Sequence, residues 1–417
     1  MDRRVRRHLA IVAAACALPR LAVLLHERGA ILGAFTEKSD DFARTFVEHG
    51  TFGFIPGVPS ASTQPLYGFF LVPVYRLFGR NWEAVGLAQI AVAVATAWVV
   101  YEIGRRFLSP RIGLAGALIA TLQPYLVWHD VHVNREILDQ LLGALAVLLA
   151  LLAAERRSTR LAAALGVVAG LAILSNSRLL ALPLVLAGYL LWRRLPLAAT
   201  GALVAATALA VAPWVVRNQV RLGCPAITTD AKALWKANNE HTYSTLRRGG
   251  WIDDVPNIPG TPPTPEMVAG DWYANHHLTK IDECAQMRYY QHRVVRFWLH
   301  HPGEKAKLAG QATVMLWSPR LRRSGPAVEG SQDASGPRRY AEPLYAGFLY
   351  AFALGGLFLV GRRFLVLALA FVAYETLAAM VFAGTTRYRV PWDFLLALLA
   401  AAALDRLVSQ RPSSSER

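Results

Sequence analysis

The chain has 417 residues, of which 54% are hydrophobic, and its formal net charge is +16. This apolar content exceeds what one soluble core of this size uses, and it comes in blocks of membrane-spanning length, which excludes an ordinary soluble protein. The positive charge would suit nucleic acid, but most of it lies in short loops between the apolar blocks. We therefore expect membrane lipids, and no nucleic acid, as partners.

In chain order, the apolar blocks predict an all-α polytopic membrane protein with about ten transmembrane helices in a bundle and further interfacial helices. The predicted spans are 8–26, 82–104, 111–128, 136–154, 161–175, 178–192, 195–216, 343–361, 364–383 and 389–405. Basic residues cluster in every second loop, at 3–7, 105–111, 156–160, 193–194, 362–363 and 406–411. Because Lys and Arg mark cytoplasmic loops, both termini are predicted to be cytoplasmic. No A-x-A-like cleavage site follows the basic start, so we expect a retained first helix.

The spans divide the chain into four parts. Residues 1–216 are predicted to form a membrane domain with an outer loop at 27–81, and 343–405 a second one. Between them, 217–342 is too long and polar for an ordinary loop and predicts a small extracytoplasmic mixed domain. Residues 406–417 predict a disordered cytoplasmic tail.

Local patterns subdivide the extracytoplasmic part. Residues 217–251 favour irregular or strand structure, 258–265 are too rich in Pro for regular helix, and helices are expected over 279–300 and 303–317. The second helix is amphipathic and is expected to lie on the membrane surface. Residues 322–341 predict a mobile loop. Cys224 and Cys284 share the outer side and could pair, although spacing alone does not show it.

An acidic pair heads the first outer loop. Asp40 and Asp41 precede Phe42 and Phe46 at helical spacing, and Gly50 closes what reads as a short interfacial helix. A carboxylate desolvated just above the bilayer becomes more basic and can act as a general base. The alternative is that the pair only caps the helix and favours its dipole.

The next outer turn, W-H-D-V-H-V-N-R-E-I-L-D-Q, is dense in ionisable groups. His132 with Glu136, and Arg135 with Asp139, are spaced i, i+4, which predicts two stripes of charge at the head of the fourth span. Ionised groups in an apolar register are costly unless they face a cavity. Two alternatives remain. One is a solvated surface turn, and the other is a divalent cation held by His129, Asp130 and His132 with the first-loop carboxylates.

Three arginines lie on the outer side against the positive-inside trend: Arg178, Arg387 and Arg389, the last two flanking Tyr388. A phosphate group fits this arrangement because a guanidinium grips it through two N–H groups. The alternative is snorkelling in the aromatic belt.

Several motifs together resemble a known family. They are the acidic pair after the first span, Glu136 in the second outer turn, A-P-W-V-V-R-N-Q-V-R-L-G at 212–223, T-D-A-K-A-L-W-K-A-N-N at 229–239, H-P-G-E-K at 301–305 and T-R-Y-R-V-P at 386–391. The chain is thus similar to bacterial GT-C glycosyltransferases of family 39, which includes protein O-mannosyltransferases and aminoarabinose transferases of lipid A. Phe42 departs from the family, many members of which carry Tyr after the acid.

The resemblance implies inverting transfer of a sugar from a polyprenyl-phosphate donor to a lipid, glycan or protein acceptor at the outer face of the cytoplasmic membrane. It places the general base at Asp41 or Asp40 and a second catalytic carboxylate at Glu136. Arg387, Arg389 and Arg178 would hold the donor phosphate. Residues expected to contact substrate are His132, Arg135, Asp130 and Tyr388.

A transporter or flippase of a lipid-linked or anionic substrate would also place charge in a membrane cavity. Such proteins commonly carry inverted repeats and paired broken helices, and no such repeat is visible in the sequence. A scaffold protein would need none of the buried charges. Oligomeric state, sugar and acceptor have no signature in the sequence.

Overall fold

The structure is a computed structural model that describes residues 2–27, 37–319 and 338–410. Within these ranges the regular structure is helical, apart from one isolated bridge between Ile55 and Val58. The helices are α1 (Arg3–His26), α2 (Lys38–His49), α3 (Pro65–Phe78), α4 (Trp82–Phe107), α5 (Pro110–Thr121), α6 (Pro124–His129), α7 (Glu136–Arg156), α8 (Thr159–Ser175), α9 (Leu182–Trp192), α10 (Leu197–Leu222), α11 (Ala231–Lys236), α12 (Thr242–Arg247), α13 (Pro265–Asn275), α14 (Glu283–His300), α15 (Pro302–Trp317), α16 (Arg338–Gly356), α17 (Arg362–Val381), α18 (Thr386–Arg389) and α19 (Asp393–Ser409).

The all-α membrane fold is confirmed. Among the described residues, the helices α1, α4, α7, α10 and α17 are long and apolar enough to cross a bilayer, and shorter apolar helices accompany them. The chain is therefore a multi-pass membrane protein. The predicted span at 111–128 is divided, because α5 ends at Thr121 and Pro124 starts α6. Proline suits the first turn of a helix, where its missing N–H has no partner to lose.

Glycines allow some of these helices to pack backbone to backbone. A Cβ added at Gly166 of α8 would lie 2.2 Å from the Leu203 carbonyl oxygen of α10. One added at Gly104 of α4 would lie 2.4 Å from the Cα of Gly113 in α5. Small residues at such crossings are typical of helix association in membranes, where dispersion contacts must replace the hydrophobic effect.

A buried ion pair ties α1 to the second outer turn. The Arg20 guanidinium donates from Nε and Nη2 to one carboxylate oxygen of Asp130, at 2.9 and 2.8 Å. Its Nη1 donates to the carbonyls of Cys16 and Thr121, and the second Asp130 oxygen accepts from Gln140. Both charged side chains are buried. The second outer turn is thus fixed to α1 through Arg20 and to α7 through Gln140.

The predicted strand content of the extracytoplasmic part is wrong. In place of strands, residues 217–251 contain the end of α10 and the six-residue helices α11 and α12, and no strand occurs elsewhere in the described ranges. Asp230 caps α11 by accepting from the Ala233 N–H, which explains why this polar stretch turns helical there. The boundaries of a separate domain at 217–342 stay a prediction.

Two predicted helices and the disulfide that the cysteines could form are present in this part of the structure. The helices predicted over 279–300 and 303–317 are α14 and α15, and the Pro-rich stretch ends where Pro265 begins α13. Cys224 and Cys284 form a disulfide that fastens the end of α10 to the start of α14. Of the predicted mobile loop, 320–337 lies outside the described residues and 338–341 belongs to α16. Of the predicted tail, 411–417 lies outside them, while α19 continues to Ser409.

Candidate active site

The α2 helix carries the acidic pair and is held by its aromatic face. Phe42 is buried between Phe52 and Phe54, with ring centroids 5.0 and 4.7 Å away. Gly50 ends the helix at a φ of +71°, a left-handed conformation that favours glycine. Fixing one face of a helix fixes the direction of every other side chain on it, so the two carboxylates differ in environment.

Asp40 is buried and fully engaged. Its side chain is 3% exposed, accepts a hydrogen bond from the Tyr75 hydroxyl at 2.6 Å, and forms an ion pair with Arg80, whose Nε donates at 3.0 Å. These bonds link α2 to the end of α3. They leave Asp40 as a structural anchor rather than a group that a second molecule can reach.

Asp41 is accessible and more basic than usual. Its side chain is 45% exposed, and its contact with Arg44 is long, at 3.4 Å. Partial burial raises the pKa of the Asp41 carboxyl, and the negative charge of Asp40 raises it further. Of the pair predicted from sequence, Asp41 is the member that a second molecule can reach.

Three outer segments that are far apart in sequence meet at one arginine. Arg387 donates from Nε and Nη2 to the two carboxylate oxygens of Glu136, at 2.8 and 2.9 Å, and from Nη2 to Glu37 at 2.5 Å. Burial lowers the pKa of Arg387, but Glu136 and Glu37 outweigh that effect and hold it well above its usual range. The structure thus brings together the first loop, the second outer turn and the last one.

Glu37 is a member of this cluster that the sequence did not indicate. Burial raises the pKa of its carboxyl, and the neighbouring charge of Glu136 adds to the rise. Arg135 lies nearby, with its Nε 3.9 Å from Glu136 and its Nη1 donating to Gln64 at 2.6 Å. The only sequence signal for Glu37 was its place immediately before an amphipathic helix, which ordinarily reads as a solvated helix start.

Arg178 and Tyr388 form a second basic element in the same region. The Arg178 guanidinium carbon lies 3.8 Å from the centroid of the Tyr388 ring, a cation–π contact. Its Nη2 is 4.0 Å from Glu375, and its buried Nε makes no hydrogen bond with any residue that the structure describes. Tyr374 fixes the backbone here by donating to the Arg178 carbonyl at 2.6 Å.

Arg389 does not join the other two predicted arginines. It is buried, pairs with Asp393 at 3.1 Å, and donates to the carbonyls of Leu316 and Ser318 as well as to Tyr350. These partners differ from Glu136 and Glu37, the carboxylates that Arg387 contacts. Arg389 therefore fastens the α18–α19 turn to the end of α15.

The histidines of the second outer turn do not assemble as predicted. The stripe pairing His132 with Glu136 is wrong because α7 begins at Glu136, so the i, i+4 spacing does not apply before it. His132 instead bonds to the Trp128 carbonyl at 2.8 Å and stacks on its ring. His129 is the histidine near Glu136, at 3.9 Å.

The predicted metal ligands are likewise dispersed. Asp130 is committed to Arg20 and Gln140, and His132 to its own turn. Across residues 2–27, 37–319 and 338–410, no three His, Cys, Asp or Glu side chains gather as a metal site requires. The grouping of His129, Asp130 and His132 with the first-loop carboxylates is therefore not formed.

Residues 60–216 match the family model described as dolichyl-phosphate-mannose-protein mannosyltransferase. Over this range the chain is similar to a family of membrane glycosyltransferases. The resemblance noted in the motifs is confirmed over this range, which includes Glu136 and Arg178. Asp41 and Arg387 lie outside the matched range.

Two solved structures are similar to this chain. The chain is similar to ArnT from Cupriavidus metallidurans bound to undecaprenyl phosphate, with 17% identity, a TM-score of 0.43 and coverage of 95% of this chain and 79% of that one. For the apo state of the same protein the identity is 17%, the TM-score 0.41 and the coverage 94% and 78%. No curated protein matches the chain.

Proposed function

We propose that this chain is a glycosyltransferase that moves a sugar from a polyprenyl-phosphate donor to an acceptor hydroxyl at the outer face of the cytoplasmic membrane, with inversion. The observation that carries the proposal is the meeting of Glu37, Glu136 and Arg387 beside the helix that presents Asp41. The family description names a dolichyl-phosphate sugar, which supports a polyprenyl-phosphate donor for this chain. Both termini are proposed to be cytoplasmic, on the distribution of basic loops.

Asp41 is proposed as the general base. It accepts the proton of the acceptor hydroxyl while the hydroxyl oxygen attacks the anomeric carbon of the donor sugar. The bond from that carbon to the phosphate oxygen breaks on the opposite face, and the lipid phosphate leaves as an anion. A leaving phosphate needs charge stabilisation rather than a proton, so cations are required on that side.

Arg387 and Arg178 are proposed to supply that stabilisation, with Arg135, His129 and Tyr388 around them. Arg387 is oriented in advance by its two bonds to Glu136, which lowers the reorganisation needed when the donor binds. Arg389, also predicted as a phosphate ligand, is proposed to act through the position of the α18 turn, because it is buried against Asp393 and the end of α15, away from Arg387's carboxylate partners. Glu136 is proposed as the residue that orients Arg387.

A lipid-linked donor also needs an apolar surface near these charges. A cavity of about 590 Å³ is lined by Phe46 and Phe52 from the α2 region, Phe69 from α3 and Trp214 from α10. It begins on the helix that carries Asp41 and is mainly apolar. We assign part of the isoprenoid chain to it.

The test compares Asp41→Asn with Asp40→Asn in cells that otherwise lack the protein. The polyprenyl-phosphate sugars of the membrane are quantified by mass spectrometry, which identifies the donor whatever sugar it carries. Asp41→Asn should leave the donor accumulated, because loss of a general base slows transfer by roughly 10²–10⁴-fold. The exposed Asp271→Asn is the matched control and should clear the donor.

Normal clearance by correctly inserted Asp41→Asn protein would overturn the assignment of the base. Absence of any accumulated polyprenyl-phosphate sugar in cells lacking the protein would instead count against a polyprenyl-phosphate sugar as the donor. Asp40→Asn is expected to lower thermal stability, because it removes the negative charge that pairs with Arg80 and one of the two oxygens that accept hydrogen bonds from Arg80 and Tyr75.

A further inference from the structure

A polar cavity of about 220 Å³ lies between α2, α11 and α13. Its charged lining residues are Lys38, Asp230, Lys232, Lys236, Asp253 and Glu266. Pockets that enclose a drug-sized ligand measure roughly 300–1,000 Å³, so this one has room for a single small polar unit. The site described above does not use it.

The cavity adjoins the proposed base. Lys38 lies three residues before Asp41 on α2, so the two side chains are neighbours on one helical face. Lys38 bonds Asp230 at 2.7 Å and also pairs with Glu266, which fixes α2 against α11 and α13. Burial is the main cause of the raised pKa of Asp41, and the negative charge of Glu266 raises it slightly further. Asp41 does not line the cavity itself, but it lies one helical turn from Lys38, which does.

The charges of the cavity balance. Three lysines face three carboxylates, and Lys236 donates to the backbone carbonyl of Asp253 at 2.7 Å. Lys232 is half-buried and Asp253 is exposed, and neither side chain forms a hydrogen bond or ion pair with another of the described residues. A free donor and a free acceptor without excess positive charge suit a neutral polyhydroxylated ligand, whereas a phosphate would need surplus cations.

We infer that this cavity is the acceptor subsite and that it takes one neutral sugar unit of a glycan, with a hydroxyl directed at Asp41. The inference rests on the proposed function and deepens it by naming the acceptor class. Lys232 and Asp253 are the specificity-determining residues. They bond to ring hydroxyls that a serine or threonine acceptor would not possess.

The test uses the purified full-length chain in detergent and the methyl glycosides of glucose, mannose, galactose and N-acetylglucosamine as probes. Binding is followed by saturation-transfer NMR. Lys232→Gln and Asp253→Asn should each weaken binding of the preferred glycoside roughly tenfold, as expected for loss of one charge-assisted hydrogen bond. Lys307→Gln and Asp271→Asn, which change exposed residues outside the cavity, should bind as the wild type does.

Thermal unfolding of each variant establishes that it is folded. Ala233→Phe fills the cavity without changing its charge and should also abolish glycoside binding. The inference is overturned if the wild type binds no glycoside, if the cavity variants bind like the controls, or if hexose 6-phosphates bind better than methyl hexosides. Binding of undecaprenyl phosphate is measured on the same samples and should be unchanged in the cavity variants. If the wild type binds glycosides but not undecaprenyl phosphate, the result would count against the proposed donor and support the assignment of the cavity as a sugar site.

Discussion

Two arginines in one short turn give a sharp test of the proposed donor site. Arg387→Lys and Arg389→Lys are the same chemical change two residues apart, and each keeps the positive charge. Arg387 is 14% exposed and faces Glu136 and Glu37, whereas Arg389 is 3% exposed and engaged with Asp393. We expect the first change to weaken donor use and the second to weaken the fold.

The magnitudes follow from the bonds of each guanidinium. Arg387 makes three charge-assisted hydrogen bonds to carboxylates, and a lysine ammonium, being a point donor, cannot reproduce the planar fork. Loss of one such contact to the donor is worth about 1.5–3 kcal/mol, or roughly ten- to a hundredfold in donor affinity. For Arg389→Lys, the carbonyls of Leu316 and Ser318 lose their donors, at about 1–3 kcal/mol of stability each.

The assay is donor dependence of transfer in purified protein, measured together with the midpoint of thermal unfolding. Arg387→Lys should raise the donor concentration required while shifting the midpoint little, and Arg389→Lys should do the opposite. Unchanged donor kinetics in Arg387→Lys would refute the phosphate assignment and leave snorkelling as its role, because an interfacial cation tolerates lysine.

Three further outcomes are expected. Transfer should fall as the pH drops through the raised pKa of Asp41, since only the carboxylate form accepts a proton. Asp40→Asn removes a neighbouring negative charge and should therefore move this fall in activity to lower pH. An unchanged pH profile in Asp40→Asn would contradict the electrostatic coupling of the two carboxylates. Cys224→Ser and Cys284→Ser should each lower the free energy of unfolding by about 4 kcal/mol, and the double change no further, because either one opens the same 60-residue loop. Thorough EDTA treatment should leave transfer unchanged, because Arg387 already holds Glu136; a loss restored by Mn²⁺ would favour the metal alternative.

The membrane helices were predictable because a long apolar block has few structures available in lipid. The disagreements occur where a block is short or contains proline. Pro124 divides one predicted span, and the polar stretch around α11 and α12 forms short helices where the pattern favours irregular or strand structure. A six-residue helix is less than two turns long and shows no clear 3.6-residue period.

The sequence indicated which segments form the candidate site, but it did not indicate which residues of those segments contact one another. Asp41, Glu136 and Arg387 were each indicated as charges placed where charge is costly, and the structure brings their segments together. Their relation to Glu37 depends on chain folding over hundreds of residues, which no local pattern records. The separation of Arg389 from Arg387 also needed the fold, because i, i+2 spacing on a short helical turn sends two side chains in different directions.

The Arg20–Asp130 pair has a consequence for synthesis of the protein. The two residues are 110 positions apart, so α1 leaves the ribosome long before its counter-charge is made. At about 5–20 residues per second, the interval is on the order of 5–20 s. During that time a lone arginine in the first span carries an insertion penalty of about 2.5–3.5 kcal/mol. This penalty favours final packing of α1 only after Asp130 has been made, when the counter-charge of Arg20 becomes available.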